Sequence, residues 1–171
     1  KQRLMQRGTA AHNTVIIENT NSSEIWDNFR VAKRAYPGQA EIQKVSGTDG
    51  IKVRCSHNGY FKIEPALLHT RSWTILDNSI SILDKIGNKT LSAFAHFHFH
   101  PDVLVSLDNS GSKGVIKLKE KVFATFIIYR GKPIIKETTW HPNFGISIQN
   151  QCLCINLENG ESNVEFQFAH S

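Results

Sequence analysis

The feature that most restricts this chain is an alternation of period two. In IKVRC, Ile51, Val53 and Cys55 alternate with Lys52 and Arg54; in NVEFQFA, Val164, Phe166 and Phe168 alternate with Glu165 and Gln167. Leu153, Ile155 and Leu157 share one side of CLCINLE, and Val103, Val105 and Leu107 share one side of DVLVSLD. Successive side chains of an extended strand point to opposite faces, so the pattern describes strands buried on one face and wet on the other. Turn-forming clusters separate the runs: YPGQ, GTDG, HNGY, IGNK, DNSGSKG, YRGKP, NFG and LENGES. The expectation is all-β, an antiparallel multi-stranded β-sandwich of stacked sheets, with residues 1–171 forming one domain. A single stretch, SSEIWDNFRVAKRAY, is a candidate helix, but its apolar residues fit helical spacing poorly. PGQAEIQKVSGTDG reads as a strand with its flanking turns, and no repeat or low-complexity tract divides the chain.

A chain of 171 residues, 40% of them hydrophobic, has the material for a sizeable core. No apolar run approaches the ~20 residues of a membrane span, and no basic segment precedes a short apolar one as in a signal peptide. The sequence opens on Lys1 instead of Met, which we read as an excised piece of a longer parent. Cys55, Cys152 and Cys154 are too few for a disulfide framework; in a strand, Cys152 and Cys154 project to the same side. The formal net charge of +5 is compatible with a polyanionic partner. Its one concentration is KGVIKLKEKV, where a strand places Lys117, Lys119 and Lys121 on one side and Ile116 and Leu118 on the other. We read that segment as a solvated strand face. Aromatics do not interleave with a basic stripe, which speaks against a nucleic-acid surface.

Candidate chemistry is sparse. AFAHFHFHPD sets His96, His98 and His100 on one side of a strand with Phe94, and Ala95, Phe97 and Phe99 on the other. Alternating imidazoles can begin a metal site. From the first to the third, however, the strand spans about 13 Å, too far for one ion, and no Glu follows in PDVLVSLDN. We therefore read a packed, aromatic-rich strand. Neither a Gly-x-Ser-x-Gly elbow, a Gly-rich phosphate loop nor His-Glu-x-x-His is present. Read from residues alone, the chain offers no active site.

One long segment changes the picture. RGTAAHNTVIIENTNSSEIWDNFRVAKRA carries Arg7, Gly8, Thr9, His12, Asn13 and Thr14, then Ser23, Glu24, Trp26, Phe29 and Arg30. In that order and spacing it resembles the heparinase II/III-like family of bacterial polysaccharide lyases. SHNGYFKIEPALLHTR, FHFHPD and WHPNFG follow in the family's order, so the resemblance runs through essentially the whole chain.

The resemblance implies an α/α toroid followed by stacked antiparallel sheets, with an acidic polysaccharide bound between them and this chain as the C-terminal β-sheet region. It further implies β-elimination at a uronate, as in heparin-, heparan- or alginate-like polymers, with the catalytic groups upstream and none assigned here. It implies zinc in the full-length parent, with His12 as one ligand and the other ligands in missing upstream segments. Asn13 and Thr14 would position the strand through backbone hydrogen bonds, Arg7 would form an ion pair, and the parent would be periplasmic or secreted. The alternative is a non-catalytic carbohydrate-binding or assembly module of a cell-surface polysaccharide protein that uses the same fold.

Overall fold

Alternation becomes two stacked antiparallel sheets. The computed structural model describes residues 2–26 and 30–169; Phe29, part of the family-like segment, lies outside them. A short helix α1 (Gln2–Arg7) and a 3-10 turn (Thr9–Ala11) lead into β1 (Val15–Ile17). Then come β2 (Ile25–Trp26), β3 (Arg30–Val31), β4 (Glu41–Lys44), β5 (Ile51–His57), β6 (His69–Leu76) and β7 (Ser79–Ile86). The chain continues through β8 (Ala93–His98), β9 (Val103–Leu107), β10 (Lys113–Leu118), β11 (Lys121–Arg130), β12 (Lys132–Trp140), β13 (Ile148–Asn156) and β14 (Glu161–Phe168). The larger sheet has the order β4-β5-β6-β7-β14-β11-β10-β9, the smaller one β1-β8-β13-β12, and β2 pairs with β3.

The core lies between the sheets. Ala93, Ala95, Phe97, Leu153 and Ile155 face it from the smaller sheet, and Ala124, Phe126, Ile128, Val164 and Phe166 from the larger. Phe166 meets Phe97 edge-on at 5.8 Å between ring centroids, a favoured aromatic arrangement that joins the two layers. Gly114 lies beneath Phe126: a Cβ there would stand 2.2 Å from the ring, so only a residue without a side chain admits it. β13 departs from simple alternation, because Cys152, Leu153, Cys154 and Ile155 are all buried. Its outward cysteines are small, paired across the sheet with His98 and His96 on one side and with Lys136 and Ile134 on the other. Lys136 reaches toward the Phe94 ring, its Nζ 5.6 Å from the centroid, which carries its aliphatic stem across the cysteine row.

Three expectations need correction. The stretch considered for a helix, where described, forms the β2–β3 pair; the helix lies instead at Gln2–Arg7. KGVIKLKEKV is not one strand but a hairpin, turning at Lys119 and Glu120, whose φ values of 48° and 66° make the tight connection between β10 and β11. YPGQ does not reverse the chain: Pro37 bridges His57, and the Gly38 N–H donates to the Ser56 carbonyl, so this segment runs beside β5. Gly131, at φ 104°, is the single residue through which the chain passes from β11 in the larger sheet to β12 in the smaller.

Candidate functional site

His12 stands on a segment held at nearly every residue. The Thr9 N–H donates to Asn21 Oδ1 at 2.8 Å, and the Ser22 N–H donates to Thr9 Oγ1 at 2.8 Å. The Ala10 carbonyl accepts from His98 Nε2 at 2.9 Å. Asn13 is held twice: its side-chain Oδ1 accepts from the His98 N–H and its carbonyl from Arg71 Nη1, each at 2.7 Å. The Thr14 carbonyl accepts from the His96 N–H at 2.9 Å. Asn13 and Thr14 thus fix the strand through hydrogen bonds to the backbone and to Arg71, as the resemblance implied, and the His12 side chain just ahead of them is exposed.

Arg71 belongs to a buried chain of charges and rings. Its guanidinium grips Asp84 with two hydrogen bonds, Nε to Oδ1 at 2.7 Å and Nη2 to Oδ2 at 2.9 Å. His69 Nε2 reaches the same Oδ1 at 2.7 Å, and His69 Nδ1 lies 3.0 Å from His57 Nε2. His57 Nδ1 accepts from the Gly59 N–H at 3.1 Å. That last bond assigns the protons down the line: His57 donates through Nε2 to His69 Nδ1, and His69 donates through Nε2 to Asp84. Beside the chain, the Tyr60 hydroxyl donates to the Val15 carbonyl.

Electrostatics follow from this arrangement. Burial alone would raise the Asp84 carboxyl, but the His69 hydrogen bond and the Arg71 charge outweigh it and hold the group below the usual carboxylate range. Burial, with the Arg71 charge nearby, depresses His57 from 6.5 to about 4. His98 is also held below its ordinary value, by burial, with the Ala10 carbonyl opposing.

Open concavities surround α1. One of about 460 Å3 is lined by Arg7, His12, Ser23 and Arg34, among others. A groove of about 800 Å3 runs past Gly8, Ala10, His98, Glu137, Thr139 and Gln149. A third, about 670 Å3, lies between α1 and the loop joining β12 to β13.

Metal chemistry can be tested on these residues. Structural and catalytic zinc sites use three or four convergent protein donors. Among the described residues no three His, Cys, Asp or Glu side chains form such a group. His12 is exposed and fits the part of a single donor; among the described residues it belongs to no group of three. His96 and His98 project to one side of β8 as expected, with ring centroids 6.0 Å apart, whereas His100 lies beyond the strand and packs against Trp140 at 4.9 Å. Cys152 and Cys154 also share a side, their sulfurs 3.6 Å apart.

The buried network was not singled out from the sequence. Its signal was present: His69 and Arg71 occupy the same phase of β6 as Trp73 and Ile75, so two polar residues sit where alternation places a buried face. Two polar side chains in an apolar phase require a buried partner, and Asp84, paired with Arg71 across β6 and β7, is that partner.

Residues 1–167 match the family described as heparinase II/III-like, C-terminal. No curated protein matches the sequence significantly. Among solved structures, the chain is similar to the heparan sulfate lyase HepC from Pedobacter heparinus, with a TM-score of 0.70 and 14% identity over 99% of this chain and 26% of that one. It is similar also to the heparinase III BT4657 gene product, with a TM-score of 0.71 and 14% identity over 98% of this chain and 25% of that one. At such identity the likeness is one of fold, and the chain spans about a quarter of the length of those proteins. The extent of the family match, joined to the two-sheet architecture, makes this chain a member of the heparinase II/III-like, C-terminal family.

Proposed function

We propose that this chain is the C-terminal β-sheet part of a bacterial polysaccharide lyase acting on a uronate-containing polymer, heparin/heparan- or alginate-like, and that it is inactive alone. The observation that carries the reading is the family match over residues 1–167. The formal net charge of +5 supports an acidic polysaccharide as partner. In the reaction, a base removes the proton at C5 of the uronate. The electron pair closes a C4–C5 double bond, and the 4-linked sugar departs with its oxygen, which takes up a proton. This chain contributes binding, not proton transfer, and the toroid and an upstream strand of the parent supply the catalytic groups. Such a parent works in the periplasm or outside the cell.

The test uses the full-length parent against a panel of uronate polymers, following the ultraviolet absorbance of the unsaturated product. Product should accumulate with at least one polymer and be absent when residues 1–171 are supplied by themselves. Binding of acidic polymer without any double bond would instead establish a non-catalytic carbohydrate module.

Zinc in the parent is part of the same proposal, with His12 as one donor and a structural role that ties the strand to its neighbours. A His12→Ala variant of the full-length protein should retain about a tenth or less of the wild-type zinc at equal free metal, measured by elemental analysis. Undiminished zinc would remove His12 from the ligand set.

A further inference from the structure

The loop of residues 141–147, between β12 and β13, holds an aromatic ring away from the protein on a braced turn. Phe144 is fully exposed, at 103% of its reference area, so its side chain packs on none of the described residues. Its position is nevertheless built. His141 Nδ1 lies 3.1 Å from the Ile146 carbonyl, which can only accept, so Nδ1 carries the proton. Nε2 is then free to accept from the Thr139 hydroxyl at 3.0 Å. The Ile146 N–H closes the turn onto the Asn143 carbonyl at 3.2 Å, and Gly145 takes the left-handed conformation this requires, at φ 78°. An imidazole that ties the end of β12 to the far side of the loop is a brace, and what it displays is Phe144.

The display faces a particular chemistry. Phe144 lines the concavity of about 670 Å3 together with Arg3, Gln6, Arg7, His141 and Ile146. That volume lies within the ~300–1,000 Å3 typical of ligand clefts. An aromatic face has a negative quadrupole and packs against weakly positive C–H groups, which one side of a pyranose ring presents. Guanidinium forks suit carboxylates and sulfates. One exposed ring with two arginines and a polar amide matches an acidic sugar better than a protein partner, whose interface core needs several apolar anchors.

We infer that Phe144 is a stacking platform for one pyranose of an acidic polysaccharide, beside the cleft that Arg3 and Arg7 line. The inference rests on the proposed function and adds a specificity-determining residue to it.

The test places Phe144→Ala and Phe144→Trp in the full-length protein and uses heparan sulfate and alginate oligosaccharides, with a neutral dextran oligosaccharide as control. The alanine variant should raise Kd, and KM where cleavage occurs, about tenfold at unchanged kcat, and the tryptophan variant should restore both. The added tryptophan, read as the difference from wild-type emission, should report a solvent-exposed ring that shifts with acidic oligosaccharide and not with dextran. If wild type binds an acidic oligosaccharide while the added tryptophan does not respond, the platform is disproved and the proposed function stands. Emission already shifted to the blue before sugar is added would show the ring covered by another part of the protein, and would equally overturn the platform. If wild type binds and cleaves no acidic glycan, the proposed function itself fails and the platform with it.

Discussion

An Asp84→Ala variant unfolds with about 3–5 kcal/mol less free energy than wild type, because it strands a buried guanidinium. Arg71 is 7% exposed and Asp84 0%, so water cannot replace the lost carboxylate. His69 loses its acceptor in the same step, and the line of protons through His57 loses its terminus. Asp84→Asn retains shape and an acceptor oxygen while removing the charge, and should lose about half as much. Urea denaturation measures both. A second readout follows from the position of Arg71 behind Asn13: once the guanidinium is released, the Asn13 clamp loosens and the His98 amide, which donates to Asn13 Oδ1, exchanges with solvent faster. A loss under about 1 kcal/mol would mean that the network is not a stabilising unit.

Acid should weaken the fold well before its carboxylates titrate, through His57. In the unfolded chain this imidazole has its ordinary value of 6.5, and in the folded protein about 4. Between those values the unfolded state holds the extra proton, so stability is full above about pH 6.5 and declines as the pH falls toward 4. The depression corresponds to about 3 kcal/mol at 1.36 kcal/mol per unit. The ring is only partly buried, and solvent screening reduces this to roughly 1–2 kcal/mol. Asp84, lower when folded than its ordinary value of 3.8, adds a separate loss once the pH falls through that value. Denaturation midpoints between pH 7 and 4 test this. His57→Gln should flatten most of the slope, leaving the smaller contribution of His98, whose depression by burial has the same sign. An unchanged slope in His57→Gln would assign the acid sensitivity elsewhere.

The sheets were legible because one face of most strands is wet. Val164, Phe166 and Phe168, or Val103, Val105 and Leu107, announce their own pleat, and the sandwich follows from burying those faces against each other. Turns were legible only where they use turn residues. The hairpin at Lys119–Glu120 places two long charged side chains at positive φ, where Asn or Gly is the usual choice, so its reversal was hidden inside an apparent strand. α1 was missed for a related reason: six residues are too few to show an amphipathic period. At the candidate site, the family-like segment pointed to His12, Asn13 and Thr14, and hydrogen bonds now account for the last two. Arg71 and Asp84 lie 58 and 71 positions beyond Asn13 in the chain, a separation that local reading does not bridge.

Gly131 leaves no slack between the two layers. An extra residue at that corner would slide β12 by one position and reverse every side chain along it. Ile135, which packs against the core, would turn outward, and Lys136 would be driven in. The seven-residue loop at the far end of the same strand has no such duty to the pleat. Length variation in this part of the molecule therefore belongs at the tip, where it can change what the protein touches without changing how it is built.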